Sequence, residues 1–190
     1  MLLISAIDIV SGIAKNFDSR NGDISVDALL ASASVPPVFE AEHVDGGVYW
    51  DALFCQNPPL RDLARLKPDE IWVIQVTPWS RGFEPKTVAD IMDRRNELSG
   101  NVAMAEDVYL IEKINELVDK LGEGENQEDK RLRVPGEEDK EYRHIEVRMI
   151  EMSDEMSRAL DFASKIDRSP SFIRKLIAHG EERVEESLNR

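Results

Sequence analysis

The chain has 190 residues, 42% apolar and 33% charged, with 24 Lys and Arg against 38 Asp and Glu. This is enough for one domain with its own core and excludes disorder as the overall state. A net charge of −14 opposes binding to nucleic acid or, by charge, to anionic lipid, because both need a basic cluster and none is evident. A single cysteine excludes a disulfide framework and a Cys-rich zinc site, and it fits a reducing cytoplasm.

The opening MLLISAIDIV is too short an apolar run to span a bilayer and lacks a basic leader, so neither a signal peptide nor an anchor is expected. Residues 2–10 are nearly continuously apolar, which predicts a strand covered on both faces of a parallel sheet. A central strand with nothing before it points to the back half of something larger. Ser11-Gly12 predicts a turn, and Ile13 to Phe17 a return strand. After the polar turn DSRNG, Ser25 predicts a helix N-cap with Asp27 in the first turn, and Val35-Pro36-Pro37 ends that helix. Val38 to Tyr49 reads as two extended stretches around a hairpin turn at Asp45-Gly46-Gly47.

Ile71 to Val76 is the second strongly apolar strand, expected in the same sheet as residues 2–10. Helical spacing follows over Thr87 to Leu98. A separate, longer helix carries the stripe Ile111, Ile114, Val118 and Leu121 and ends at Gly122. Residues 122–141 hold eight acids and four bases and read as a solvated, flexible insertion. Tyr142 to Ile150 alternates as one half-exposed strand, Ser153 begins a helical region, and Ser169-Pro170 opens the last helix. The interleaving predicts a three-layer α/β/α sandwich with a mostly parallel sheet over residues 1–152, with helices of 153–190 packed on the same domain.

The densest polar cluster in an apolar setting is ASASVPPVFEAEHVDGGVYWDALFCQNPPL, residues 31–60. It holds two candidate carboxylates. Asp51 follows Val48-Tyr49-Trp50, at a strand end, where sites form in open α/β sheets. Asp45 also reads as an ordinary turn residue. Cys55 with His43 as base would be a nucleophile pair, but a lone cysteine more often packs as a small hydrophobe. His43, Asp45 and Asp51 are too few and scattered for a metal site, and no metal or cofactor is expected. Asn57 would orient Asp51 or cap the next helix. Arg94, Arg95 and Glu97 read as a solvated helix face, Trp72 and Trp79 as core or rim, and Ser32 and Ser34 as a helix end rather than nucleophiles.

This cluster resembles the patatin-like phospholipases, a family of serine lipid acyl hydrolases. The resemblance rests on Ala31-Ser32-Ala33-Ser34-Val35-Pro36, Phe39, Tyr49-Trp50-Asp51 and Asn57-Pro58-Pro59. It extends to LLISAIDIVSGIAKNFDS before, and to DEIWVIQVTPW and the DRRNEL helix after. It implies a Ser-Asp dyad in which the carboxylate takes the serine proton directly, acting on phospholipid or another lipid ester. Asp45-Gly46-Gly47 matches the family signature literally, but the flanking Tyr-Trp and Asn-Pro align on Asp51. Asp51 therefore takes the catalytic role, with Asp45 as runner-up. Ala52 stands where the family has Gly, and a backbone needing positive φ there would make Ala costly.

The family's nucleophile lies in Gly-x-Ser-x-Gly, and no two glycines of this chain stand four apart. The resemblance thus implies only the Asp-bearing, C-terminal half of a domain, inactive alone and prone to pair with itself or with the missing half. The alternative is a non-catalytic α/β interaction module or one half of a split protein. A cytoplasmic location, or one peripheral to a membrane, is expected.

Overall fold

The computed structural model describes residues 1–36, 38–124, 130–134, 137–161, 163–165 and 167–189. Two tight turns set the direction of the first strands. β1 (Leu3–Asp8) reverses through Gly12, at φ 73°, into β2 (Ala14–Asp18). β3 (Glu42–Val44) reverses through Asp45 and Gly46, at φ 48° and 83°, into β4 (Gly47–Asp51). Consecutive left-handed residues are what a two-residue hairpin turn requires, so Asp45 serves the turn whatever else it does. The four strands form an antiparallel sheet in the order β2-β1-β4-β3.

A mostly parallel sheet is thus not what these strands make. The apolar run over residues 2–10 signals burial, but the short turns make β1–β2 and β3–β4 antiparallel, since parallel strands need a crossover, and β4 meets β1 antiparallel as well. Nor does Ile71–Val76 join that sheet. β5 (Glu70–Gln75) pairs in parallel with β8 (Glu146–Glu151), and β6 (Arg131–Val134) pairs with β7 (Glu137–Arg143), each couple forming its own sheet. The fold is mixed α/β, and β5 with β8 is its one parallel pairing among the described residues.

Helix α1 (Val26–Ala31) starts where the sequence indicates. Ser25 caps it, its hydroxyl accepting from the Ala28 N–H at 3.0 Å, and Ala28 and Ala31 face the sheet. They close a core with Ile4, Ala6, Phe17 and Val44. A second core gathers Leu60 of α2 (Leu60–Ala64), Ile71 and Val73 of β5, Ile145, and Met104 and Ile111 of α3 (Val88–Leu121).

The two helices read over residues 87–121 are one. The buried stripe of α3 runs Glu97, Gly100 with Asn101, Met104, Asp107, Ile111 and Val118, at helical steps of three, four or seven. Its first half is polar or small, so apolar periodicity registers only the second half. Glu97 is not on a solvated face: it is 1% exposed. Arg81 donates to Glu97 (Nε to Oε2, 3.0 Å) and to Asp93 (2.8 Å), Arg94 reaches Glu97 at 3.1 Å, and Lys165 bridges Asp93 at 2.6 Å and Glu97 at 2.9 Å. Burial alone would raise the Glu97 pKa, but bonds and charge from Arg81 and Lys165 hold it below its usual range.

The single strand read over Tyr142–Ile150 is likewise two. The Asn115 side chain accepts from the Ile145 N–H at 2.9 Å and donates to the Ile145 carbonyl at 2.8 Å. That amide clamp draws Ile145 onto α3 and separates β7 from β8. The acidic segment 122–141 contains β6 and the first part of β7, which pair antiparallel, while residues 125–129, 135 and 136 lie outside the described residues. Ser153 caps α4 (Asp154–Ala159), and Ser169 with Pro170 opens α5 (Pro170–Leu188). Trp72 and Trp79 sit at the rim, their indole N–H groups on Glu70 and Glu151. Among the described residues, no helix is long and apolar enough to cross a membrane.

The buried network makes a measurable claim. Arg81→Met should cost about 3 kcal/mol in urea unfolding, because Glu97 and Asp93 lose a partner where water cannot replace it. A loss within the range of surface substitutions would show that the network carries little of the stability.

Candidate active site at the end of strand β4

Asp51 is the last residue of β4 and stands opposite Ala6 of β1. Its N–H donates to the Ser34 carbonyl at 3.0 Å, which ties the strand end to the segment leaving α1. Its Oδ1 accepts from the Leu53 N–H at 2.8 Å, capping a 3-10 turn over Ala52–Phe54. No hydrogen bond to Oδ2 occurs among the described residues, so one carboxylate oxygen is committed and the other is available. Burial raises the Asp51 pKa, and the Leu53 N–H offsets part of that rise.

Ala52 carries no strain. Asp45 and Lys67 are the non-glycine residues with positive φ among the described residues, and Ala52 opens the turn with its methyl buried. The cost attached to replacing Gly at this position therefore does not arise.

The loop after Asp51 is held from both sides. Asn16 of β2 accepts from Ser5 at 2.6 Å and from Gln56 at 2.7 Å, and its amide donates to Asp62 of α2. On the far side, a Cβ on Gly100 of α3 would stand 2.8 Å from Leu53 Cδ1 and 3.3 Å from the Leu53 carbonyl. Asn16, Gln56 and Gly100 are absent from the sequence reading of the site. A polar residue in an otherwise amphipathic strand and a glycine inside a long helical pattern are the signals that could have found them.

The other candidates separate. Cys55 is half-buried, its Sγ faces the Ala52 carbonyl at 3.5 Å, and burial raises its pKa, with Asp51 adding to the rise. His43 is exposed on β3, and no hydrogen bond links it to Cys55. Ser32 donates to the Leu29 carbonyl and Ser34 to the Leu30 carbonyl, each at 2.8 Å, and Ser34 is buried. Asn57 does not cap α2: Pro59 occupies that position. Among the described residues, no group of three or more His, Cys, Asp or Glu side chains could hold a metal ion.

Chemically, the arrangement offers a carboxylate held by its own turn, with one oxygen unbonded among the described residues and a raised proton affinity. Because the folded pKa lies above the unfolded one, Asp51 costs stability that grows as the pH rises from the unfolded to the folded value and is present in full above it. Asp51→Asn keeps an oxygen for the Leu53 N–H. It should raise the melting temperature near neutral pH, and the gain should shrink as the pH falls through the carboxylate range. Gly100→Val should cost about 2 kcal/mol by overpacking, and Leu53→Ala should relieve most of that cost. Thermal and urea unfolding of the single and double variants test both.

A family model described as Patatin-like phospholipase matches residues 6–64, from within β1 to the end of α2, and so includes Asp51 and its supporting loop. The match lies in the N-terminal part of the chain and stops before β5 and α3, to which the sequence resemblance extends, and it does not support assigning the chain to a C-terminal half. No curated protein matches the chain. The family match suggests lipid hydrolase chemistry for the region that carries Asp51.

Proposed function

We propose that residues 6–64 carry the general base of a lipid acyl hydrolase, with Asp51 as the carboxylate of a serine–aspartate dyad. The observation that carries this reading is the family match over the segment in which Asp51 ends a strand with one oxygen unbonded. The serine is assigned to a segment outside these 190 residues, because none of the ten glycines frames a Gly-x-Ser-x-Gly elbow.

In this scheme the free Asp51 oxygen takes the serine proton as the serine oxygen attacks the ester carbonyl. The carboxyl returns the proton to the departing alcohol, and water, deprotonated by the same group, releases the fatty acid. Desolvation suits the role, since a carboxylate with raised proton affinity is a stronger base. Two further features support docking of a nucleophile-bearing segment. A two-stranded parallel sheet is rarely left on its own, and β5 turns Trp72 and Ile74 outward, the latter 69% exposed. No cofactor takes part, and the partner is a phospholipid or another lipid ester in the cytoplasm or at a membrane surface.

The test begins with the coding sequence upstream of Met1. With an elbow restored in frame, a fluorophosphonate probe should label a serine outside this chain. Asp51→Ala should lower kcat on a chromogenic ester by about 10³-fold or more, and Asp45→Ala by far less once folding is matched. The acidic limb of the kcat/KM profile should lie above the ordinary carboxylate range, because the base must be deprotonated to act. Labelling of Ser32 or Ser34 in the 190-residue chain, or equal losses from both aspartates, would overturn the assignment. Absence of any elbow upstream would favour a non-catalytic interaction module.

A further inference from the structure

Helix α5 carries two apolar lines. Phe172 and Leu176 belong to the inward one, which continues through His179, where Nε2 accepts from the Ser153 N–H at 3.2 Å, and Arg183, which donates to the Glu151 carbonyl at 2.8 Å. The second line is left open. Ile173, Ile177, Val184 and Leu188 are 40%, 57%, 37% and 63% exposed. With Gly180 they step along the helix by four, three, four and four residues, the spacing of a helix-pairing seam. At 100° per residue this seam lies about 100° around α5 from the inward line; Ile173 and Gly180 border the cavity between α5 and the β5–β8 pair, and Ile177, Val184 and Leu188 lie outside it.

We propose that this seam pairs α5 with α5 of a second copy of the chain, antiparallel, about a two-fold axis between Gly180 and Glu181. Three observations select that occupant. The first is charge polarity: Arg174 and Lys175 lie in the first half of the helix, and Glu181, Glu182, Glu185 and Glu186 in the second, where the one base, Arg183, is turned inward onto Glu151 and Glu186. This order opposes the helix dipole, with no acid in the first turn and no base in the last. An antiparallel copy brings the basic half of each helix beside the acidic half of the other. A parallel copy would stack like on like.

The second is register. With the axis between Gly180 and Glu181, Ile177 meets Val184 and Ile173 meets Leu188, so every large residue of the seam finds an apolar partner. Arg174, on the solvent flank of the seam, then comes beside Glu185 of the partner subunit, twice by symmetry.

The third is Gly180. A Cβ there would meet no atom of this chain within 4 Å, so nothing inside the protein calls for glycine, although glycine weakens a helix interior. At the centre of an antiparallel crossing it lets two backbones approach closely.

The seam is small, so the dimer belongs at the low end of specific interfaces, with dissociation in the micromolar range. One contact works against it: Glu181 comes close to Glu181 of the partner subunit at the axis. That repulsion gives the proposal a distinctive signature.

Sedimentation equilibrium of the 190-residue chain over a concentration series should fit a monomer–dimer exchange. Ile177→Glu should weaken the dimer by about 100-fold. Glu181→Gln should tighten it by about 2- to 5-fold, which a merely sticky surface would not do. Arg174→Glu and Glu185→Arg should each weaken self-association, and mixing the two should restore dimers as heterodimers. In a Cys55→Ser background, chains with Ile173→Cys should cross-link on air oxidation to chains with Leu188→Cys more readily than either does to itself. Circular dichroism confirms folding of each variant, and Glu181→Gln keeps the test intact should Ile177→Glu fail to fold. A monomer at every concentration would overturn the proposal. So would association unmoved by Ile177→Glu and Glu181→Gln, which would place the contact at the open β5–β8 sheet instead.

Discussion

At Gly100 the backbone of α3 lies against Leu53, two residues past Asp51, with no room for a side chain between them. Much of the structure follows from that contact. It seats a 34-residue helix on the loop that ends β4, and the same helix packs Met104 and Ile111 against Ile71 and Val73 of β5 further along. The same stripe that presents Gly100 presents Glu97 one turn earlier, to Arg81 and Lys165, and Met104 and Ile111 later, to the second core. One helix face thus carries an ion network, a close backbone approach and an apolar core in succession. The Asp51 loop is held by that face on one side and by Asn16 and its own turn on the other.

Local chemistry was legible wherever the structure is itself local. Ser25 and Ser153 accept from the backbone three residues on, Asp45-Gly46 turns as a two-residue hairpin, and Pro170 sits at the start of the last helix. Asp51 could be placed at a strand end because a short strand between a hairpin turn and an Asn-Pro element has few places to finish. What was not legible depends on distant partners. The polar half of the α3 stripe looks solvated until Arg81 and Lys165 are brought to it. The alternation from Tyr142 to Ile150 looks like one strand until Asn115 clamps Ile145. Strand direction is hidden for a related reason: apolar runs report burial, whereas the direction of a strand depends on its turns and on partners distant in sequence.

The open surfaces differ in kind. The β5–β8 pair offers hydrogen-bonding edges and outward Trp72 and Ile74, so it suits another strand, with specificity from backbone register. The α5 seam offers side chains only, and its specificity comes from the order of charge along one helix. These surfaces lie on different elements but adjoin, since Ile74 of β5 and Ile173 of α5 line one cavity. The two contacts would still respond to different substitutions, the seam to Ile177 and the sheet to Trp72.

The turn that holds Asp51 also bears on how it would work as a base. Its Oδ1 is committed to the Leu53 N–H, a bond that favours the ionised form, while burial opposes that form more strongly, leaving the pKa raised. The hydrogen bond is fixed by the 3-10 turn and so is present whenever the loop is folded. The burial is not fixed, because it grows with whatever covers the strand end. A segment docking over β4 would strip further water from the free oxygen, raise its proton affinity again, and bring it nearer to the range in which a carboxylate can accept a proton from a serine hydroxyl. In that arrangement, assembly and base strength are the same event, and Ala52, unstrained in its turn, takes no part in setting either.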